Sequence, residues 1–417
     1  MEPETVIADL AAPARRAAAV LAASRGEKRN AALLACAQAI RDDAERLKSE
    51  NNKDLSRSEE FGLSQAMVDR LTLDDGRIES MACALEQIAA QTDPIGQTIR
   101  ASNRPNGLRI EKRRVPIGVI GIIFESRPNV TADAAGLCIK SGNACILRGG
   151  KEAIHSNLAI AASLRRGLAK TDLPPEAVTV LESTDRALVA AMARAEGLID
   201  LIIPRGGEAL IRAVAQAATI PVIKHYAGNC HVYVHARANL GMAERIVMNA
   251  KCQRPGVCNA AETLLVDQAI ARRFLGDIAP ELAQAGVELR GCDQARTFAE
   301  MKPAVEEDWS TEYLELILAV KVVEDLDEAI EHINTYSSGH TEAVVTDEVQ
   351  AAQEFISRVD SSSVMVNAST RFSDGGEYGL GAEIGISTDK LHARGPMGAE
   401  DLTTYKWIVT GQGHVRQ

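Results

Sequence analysis

Between residues 117 and 224 the chain repeats one pattern: a short apolar run, then a stretch with apolar residues three and four apart. The runs are IGVIGIIF, ACILRG, VTVL, LIIP and PVIK, and the stretch after the second carries Ile154, Leu158, Ala161, Leu164 and Leu168. Near-continuous apolar runs are the mark of strands buried on both faces, and parallel strands need crossovers of helix length. The pattern predicts a parallel sheet covered by helices on both sides, a Rossmann-like domain.

A second alternating series, HVYVH, ETLLV, VELR, LILAVKVV, EAVVT and SVMVN, follows Tyr226-Ala227-Gly228-Asn229. The domain boundary is therefore expected at about Gly228, and 417 residues are enough for two cores. Residues 5–90 show helical spacing, as in Leu33, Ala37, Ile40, Ala44 and Leu47. RIEKRRVP, from Arg109 to Pro116, alternates charged and apolar side chains like a half-exposed strand, and LTTYKWIVTG reads as one further strand. A strand alone needs a sheet to join, which another subunit could lend.

Composition excludes several function classes. The formal charge is −11, from 46 basic and 57 acidic residues, aromatics are 3%, and no basic stretch could track a phosphate backbone, so nucleic acid is not expected as a partner. No eighteen consecutive apolar residues occur, so no membrane span is expected, and the opening MEPETVIADLAAPARRAAAVLAASR lacks the basic-then-apolar order of an export signal. Eight cysteines are scattered without CxxC pairs, which suits reduced thiols in the cytoplasm and no structural metal. His231 and His235, four apart on a strand, would stand roughly 13 Å from each other, too far for one ion. The run Glu306-Glu307-Asp308 reads as a solvated face.

Three features could carry chemistry. Cys258 lies in CQRPGVCNAAE, where Pro255 and Gly256 forbid regular structure and a strand follows. A cysteine on such a loop can serve as a thiolate nucleophile, or be a small packing residue. Asn129, in ESRPNVTADAAG, stands where a strand gives way to a helix; it could cap that helix or donate its amide to an oxyanion. LRGGKEA and IPRGGEAL place glycine pairs at strand-to-helix turns, where backbone can approach a ligand and a helix N-terminus attracts phosphate. Neither fits GxGxxG, and such pairs also serve plain tight turns. Two at separate crossovers, beside Arg148, Lys151 and Arg205, favour an anionic dinucleotide.

Taken in order, ESRPNVT, LRGGKEA, IPRGG, PGVCNA, TEYLELILAVKVV, NASTRFSDGGEYGLGAEIGIST, LHARGPMG and LTTYKW resemble the aldehyde dehydrogenase superfamily. The likeness covers essentially the whole chain and is closest to the branch that reduces an acyl phosphate in proline biosynthesis. It implies an α/β fold of three parts: a cofactor domain from residues 1–99 and 116–228, a catalytic domain from 229–390, and a small β oligomerisation flap from 100–115 and 400–417. Cys258 falls on the superfamily's nucleophile, Asn129 on its oxyanion-hole amide, and Glu312 on the glutamate that holds the nicotinamide ribose. Arg148, Lys151, Arg205, Gly206 and Gly207 would bind NADPH, while Arg127, Arg254 and Arg371 are candidates for the substrate's carboxylate and phosphate.

The implied reaction is NADPH-dependent reduction of L-glutamyl 5-phosphate to L-glutamate 5-semialdehyde through a Cys258 thioester. The protein would be a homo-oligomer, with glutamate 5-kinase as its metabolic partner, because no part of this chain could make the acyl phosphate. In hydrolytic superfamily members a glutamate in an E-L-G-G-K segment activates water. Here the corresponding run is His225-Tyr226-Ala227-Gly228-Asn229, so that base is missing.

Overall fold

The computed structural model describes residues 2–416. Two compact units share the chain. The first takes everything up to Lys224, then Gly379–Gly385 and the stretch from Met397 on; the second takes His225–Tyr378 and Ile386–Pro396.

Five helices open the first unit: α1 (Pro3–Ala23), α2 (Gly26–Asp42), α3 (Ala44–Leu55), α4 (Gln65–Leu71) and α5 (Asp75–Ala90). Pro3 opens α1 where a missing N–H costs nothing, and Ser64 and Asp74 cap α4 and α5 by accepting from Met67 and Arg77 N–H. A hairpin follows, β1 (Thr98–Asn103) and β2 (Arg109–Pro116). Then come β3 (Val119–Phe124), α6 (Val130–Lys140), β4 (Ala144–Arg148), α7 (Ile154–Ala169), β5 (Val178–Val180), α8 (Ala187–Ala193), β6 (Leu201–Arg205) and α9 (Glu208–Ala217). The last four strands pair in parallel in the order β5-β4-β3-β6, and every residue of β3 is buried. Four of the five apolar runs are thus strands. PVIK is not: Pro221 has no N–H to give a ladder, and the run contributes only a single bridge, Val222 beside Ile202.

The second unit continues with β7 (Cys230–Val234), α10 (Leu240–Cys252), β8 (Ala261–Asp267), α11 (Gln268–Gln284), β9 (Glu288–Gly291), α12 (Asp293–Arg296), β10 (Lys302–Pro303), β11 (Ile317–Val323), α13 (Leu326–Tyr336), β12 (Thr341–Val345), α14 (Val349–Arg358) and β13 (Ser363–Val366). Its seven strands are parallel, in the order β10-β9-β11-β8-β7-β12-β13. Alternation along β7 sends Val232 and Val234 into one core layer and Tyr233 into the other, so helices cover both faces. Asn239, Asp267 and Asp325 cap α10, α11 and α13.

The division between units falls after Lys224 rather than at Gly228, because the run from His225 is bonded into the second unit: His225 Nδ1 to the Ile386 carbonyl and Gly228 N–H to Glu312, both 2.8 Å. Two short strands, β14 (Gly385–Ser387) and β15 (Gly395–Met397), pair with each other. β16 (Thr403–Thr410) runs antiparallel to β2, completing a three-stranded sheet in the order β1-β2-β16. Tyr405, Trp407 and Val409, alternate residues of β16, are about half exposed on one face of that sheet. Among the described residues, no helix is long and apolar enough to cross a membrane.

Candidate active site

Three loops meet at the amino ends of adjacent strands in the second unit. The loop after α10 enters β8 and carries Cys258; the run before β7 carries His225; and the turn before β12 ends on His340. Because β8, β7 and β12 are neighbours and parallel, their entry loops lie side by side. The Cys258 sulfur and one ring nitrogen from each histidine fall within 4.8 Å of one another. The two rings stand edge to face, centroids 5.6 Å apart.

The cysteine loop is held from several sides. Gly228 lies against it so closely that a Cβ there would come within 2.5 Å of the Cys258 Cα, so no side chain fits at that position. The Glu312 carboxylate accepts the Gly228 N–H at 2.8 Å and fixes this approach. Cys230, fully buried, donates its thiol to the Cys258 carbonyl at 3.2 Å, and Asn259 donates to the Ser373 carbonyl at 2.9 Å. Burial pushes the Cys230 thiol well above its ordinary range, and the Cys252 thiol upward as well, so neither is poised as a thiolate. Cys258 and Cys252 are both half-buried, and of the three thiols Cys258 is the one whose sulfur meets the two histidines.

One cation, Arg371, lies within electrostatic reach of the thiol, and Arg254 lies close to that cation. Arg371 donates from Nε to the Gln253 side chain at 2.8 Å, and its guanidinium is pushed toward the neutral form by burial and by Arg254 close by, while Cys258 and Asp374 act in the opposite sense. Arg254 is exposed. A partly desolvated guanidinium beside a second one is a ready receptor for an anionic group. Arg127, the third expected cation, is a half-buried residue of the first unit, three residues beyond β3.

The first unit holds a cavity of about 580 Å³ beyond the carboxyl ends of its sheet, where open α/β sheets take ligands. Arg148, Lys151 and Arg186 line it with Phe61, Leu63, Ser126 and Glu152. Arg148 donates to the Thr184 carbonyl at 3.0 Å, yet its Nε is buried without a hydrogen-bond partner, and burial pulls its guanidinium toward the neutral form. Such an atom invites an anionic ligand. Lys151 Nζ sits 4.8 Å from the Phe61 ring centroid. Glu152 turns away from solvent to accept from Ser126 N–H and Oγ, both at 2.7 Å.

The remaining expected residues are placed differently. Arg205 pairs with Glu383 at 2.9 Å. The α9 N-terminus is engaged by Glu125, whose carboxylate accepts the Gly207 N–H at 3.0 Å; a Cβ on Gly206 would collide with it at 2.3 Å. Glu312 belongs to the second unit, where it holds Gly228.

Asn129 sits at the N-cap position of α6 but makes no capping bond; its Nδ2 donates to Asp133 at 2.9 Å. The capping reading therefore fails: Asn129 already has helical dihedrals, not the extended ones of a capping residue, and its side chain accepts from none of the helix's N–H groups. Asp133 is pushed up to about 6 by desolvation, against the pull of Asn129 and Arg205.

The acidic run divides. Asp308 is buried, bonded to Arg290 and Tyr313 at 2.7 Å each, while Glu306 and Glu307 stay exposed, so the solvated-face reading fails for the third residue. Among the histidines, His231 bonds Glu342 and His235 bonds Thr346, both at 2.9 Å. His340, Cys230 and Arg186 were not singled out by sequence. His340 stands one residue before an apolar run, a place where a side chain can emerge at a strand's entry, but that signal is common.

The aldehyde dehydrogenase family model matches residues 3–295 and 297–407. A gamma-glutamyl phosphate reductase from Geobacter metallireducens is 56% identical over 412 residues, 99% of each chain, and one from Caldanaerobacter subterraneus subsp. tengcongensis is 53% identical over 405 residues, 97% of this chain and 98% of that one. The crystal structure of gamma-glutamyl phosphate reductase from Thermotoga maritima superposes with a TM-score of 0.96 at 47% identity, covering 99% of this chain and 100% of that one.

Proposed function

The chain belongs to the aldehyde dehydrogenase family, in the branch of the gamma-glutamyl phosphate reductases, and on that premise we propose that it reduces L-glutamyl 5-phosphate to L-glutamate 5-semialdehyde with NADPH, releasing phosphate, through a thioester on Cys258. The observation that carries the reading is the meeting of Cys258 with two imidazoles, with the Arg371 guanidinium within reach of the thiol and Arg254 close to Arg371.

Each chain residue has a task. The Ile386 carbonyl can only accept, so His225 keeps its proton at Nδ1 and presents a lone pair at Nε2, which takes the thiol proton of Cys258. The thiolate attacks the acyl carbon, a C–S bond forms, and the C–O bond to phosphate breaks with its electron pair leaving on phosphate. Arg254 and Arg371 bind anionic groups of the substrate, with Arg127 a further candidate. Asn129, which has a second N–H beyond the one given to Asp133, supplies a donor to the oxyanion.

NADPH, when bound, supplies the hydride that converts the thioester to the aldehyde and releases the thiolate. Arg148, Lys151 and Arg186 would hold it, and the buried, unpartnered Arg148 Nε is the observation that fits an anionic cofactor there. The Gly207 N–H could join only by giving up Glu125, whereas Arg205 has further N–H groups beyond the one given to Glu383. The absence of a carboxylate where hydrolytic relatives have one suits a thioester kept from water. A kinase such as glutamate 5-kinase must make the acyl phosphate, the exposed Tyr405, Trp407 and Val409 support a homo-oligomer joined through β16, and the free, scattered cysteines suit the cytoplasm.

The test is the reverse reaction: NADP reduction by glutamate 5-semialdehyde, with and without phosphate. Strict dependence on phosphate is expected. Dependence on coenzyme A instead, or equal rates with neither, would overturn the reading.

A further inference from the structure

We propose that His225, Cys258 and His340 form a binding site for a zinc-like divalent cation, and that an ion bound there switches the enzyme off by withdrawing its nucleophile. The three ligand atoms lie within 4.8 Å of one another. With metal–nitrogen and metal–sulfur distances of about 2.0 and 2.3 Å, the ligand atoms of a tetrahedral site with one sulfur and two nitrogens stand roughly 3.3–3.5 Å apart. Side-chain torsions need to close the set by at most about 1.5 Å.

Both rings are already fixed as ligating imidazoles are fixed, through the nitrogen opposite the metal. His225 is held at Nδ1 by the Ile386 carbonyl and His340 at Nδ1 by the Thr341 hydroxyl, each at 2.8 Å. An ion would take Nε2 of each ring and the sulfur of Cys258, with water in the fourth position. The three loops are set by adjacent strands of one sheet, and Gly228 and Cys230 brace the cysteine backbone, so little ordering is left for the ion to impose. One thiolate and two imidazoles select zinc-like ions over magnesium or calcium, which require oxygen ligands. Binding forms a metal–sulfur bond and releases the thiol proton to the buffer, one per ion. Only the effect on activity rests on Cys258 being the nucleophile; the binding itself does not.

The test uses the purified full chain, reduced and treated with chelator, titrated with Co²⁺ and then with Zn²⁺. One Co²⁺ per chain should bind with thiolate-to-cobalt charge-transfer absorption, and Zn²⁺ should displace it. Alkylation of Cys258 by iodoacetamide should slow in step with occupancy, and NADP reduction should fall in the same proportion and return with EDTA. Cys258→Ser should abolish the charge-transfer band. His225→Gln and His340→Gln should each weaken cobalt binding by at least about a hundredfold. His225 is half-buried and His340 fully buried, so the His225 variant decides the matter if the other fails to fold.

Absence of the band in the wild type, its persistence in Cys258→Ser, or unchanged affinity in His225→Gln would overturn the proposal. Cobalt binding as described, together with phosphate-independent turnover, would leave the metal site standing and sink the substrate assignment instead.

Discussion

Lys251 and Glu262 form a fully buried ion pair, Nζ to Oε2 2.5 Å, across the base of the loop that carries Cys258. Lys251 is in the last turn of α10 and Glu262 in β8, so the pair ties the loop's two ends together. Burial pushes Glu262 up to about 7 and Lys251 downward, each toward its neutral form, against their mutual attraction. Glu262→Gln leaves the lysine unpaired in the core, and a loss of about 3–5 kcal/mol in urea unfolding is expected. The double variant Lys251→Met with Glu262→Leu should recover most of that loss. If the double variant unfolds as easily as the single, the cost lies in packing and not in a stranded charge.

Cys258→Ala should abolish NADPH oxidation while leaving NADPH binding nearly unchanged by fluorescence titration. Cys252→Ala and Cys230→Ala should retain turnover, because burial keeps both thiols protonated. An active Cys258 variant beside a dead Cys252 or Cys230 variant would move the nucleophile elsewhere.

Asn129→Ala should lower kcat by roughly a hundredfold or more, the usual effect of deleting an oxyanion donor. Its melting temperature should change little, since no helix cap is lost. A large drop in melting temperature with unaltered kcat would assign Asn129 to the scaffold.

Beside it, Asp133 has a carboxyl raised from 3.8 to about 6. Between those values the folded chain keeps a proton that the unfolded chain has lost, so this group's contribution to stability falls as pH rises through that window and is level above it. Asp133→Asn should flatten that part of the profile when melting temperature is followed from about pH 4 to pH 7. An identical slope in the variant would place the pH dependence on other groups.

Lys151 lines the cavity with Arg148 and Arg186, a setting that favours the 2′-phosphate of NADPH. Lys151→Glu should raise KM for NADPH far more than KM for NADH. Equal changes for the two cofactors would refute the assignment.

Sequence made the parallel sheets legible because fully buried strands leave unbroken apolar runs, and β3 is buried at every residue. Motif order pointed to Cys258 in the same way. His340 stayed hidden for a physical reason. It lies 115 residues from His225 and meets it only because β12 is placed beside β7, and strand order leaves no local mark on the chain. The Lys251–Glu262 pair was equally silent, since a lysine and a glutamate eleven residues apart usually face water. At Asn129 the local sequence left a helix cap and an oxyanion donor both open, because the dihedrals that decide against the cap leave no mark in residue spacing.

The pairing of β2 with β16 has a consequence in time. Pro116 and Thr403 are partners, yet 287 residues separate them in the chain. At about 5–20 residues per second of synthesis, β2 waits roughly 15–60 s after leaving the ribosome before its partner exists. Through that interval β1 and β2 form only a two-stranded ribbon, an arrangement that is marginal in water by itself. Lys112, which will lie 3.4 Å from the Tyr405 ring, is meanwhile a charge on an open edge, and charged edges resist pairing with the wrong chain. The basic and acidic residues along RIEKRR thus act as a chaperone written into the strand, guarding it during the one period of its life when it has no neighbour on that side.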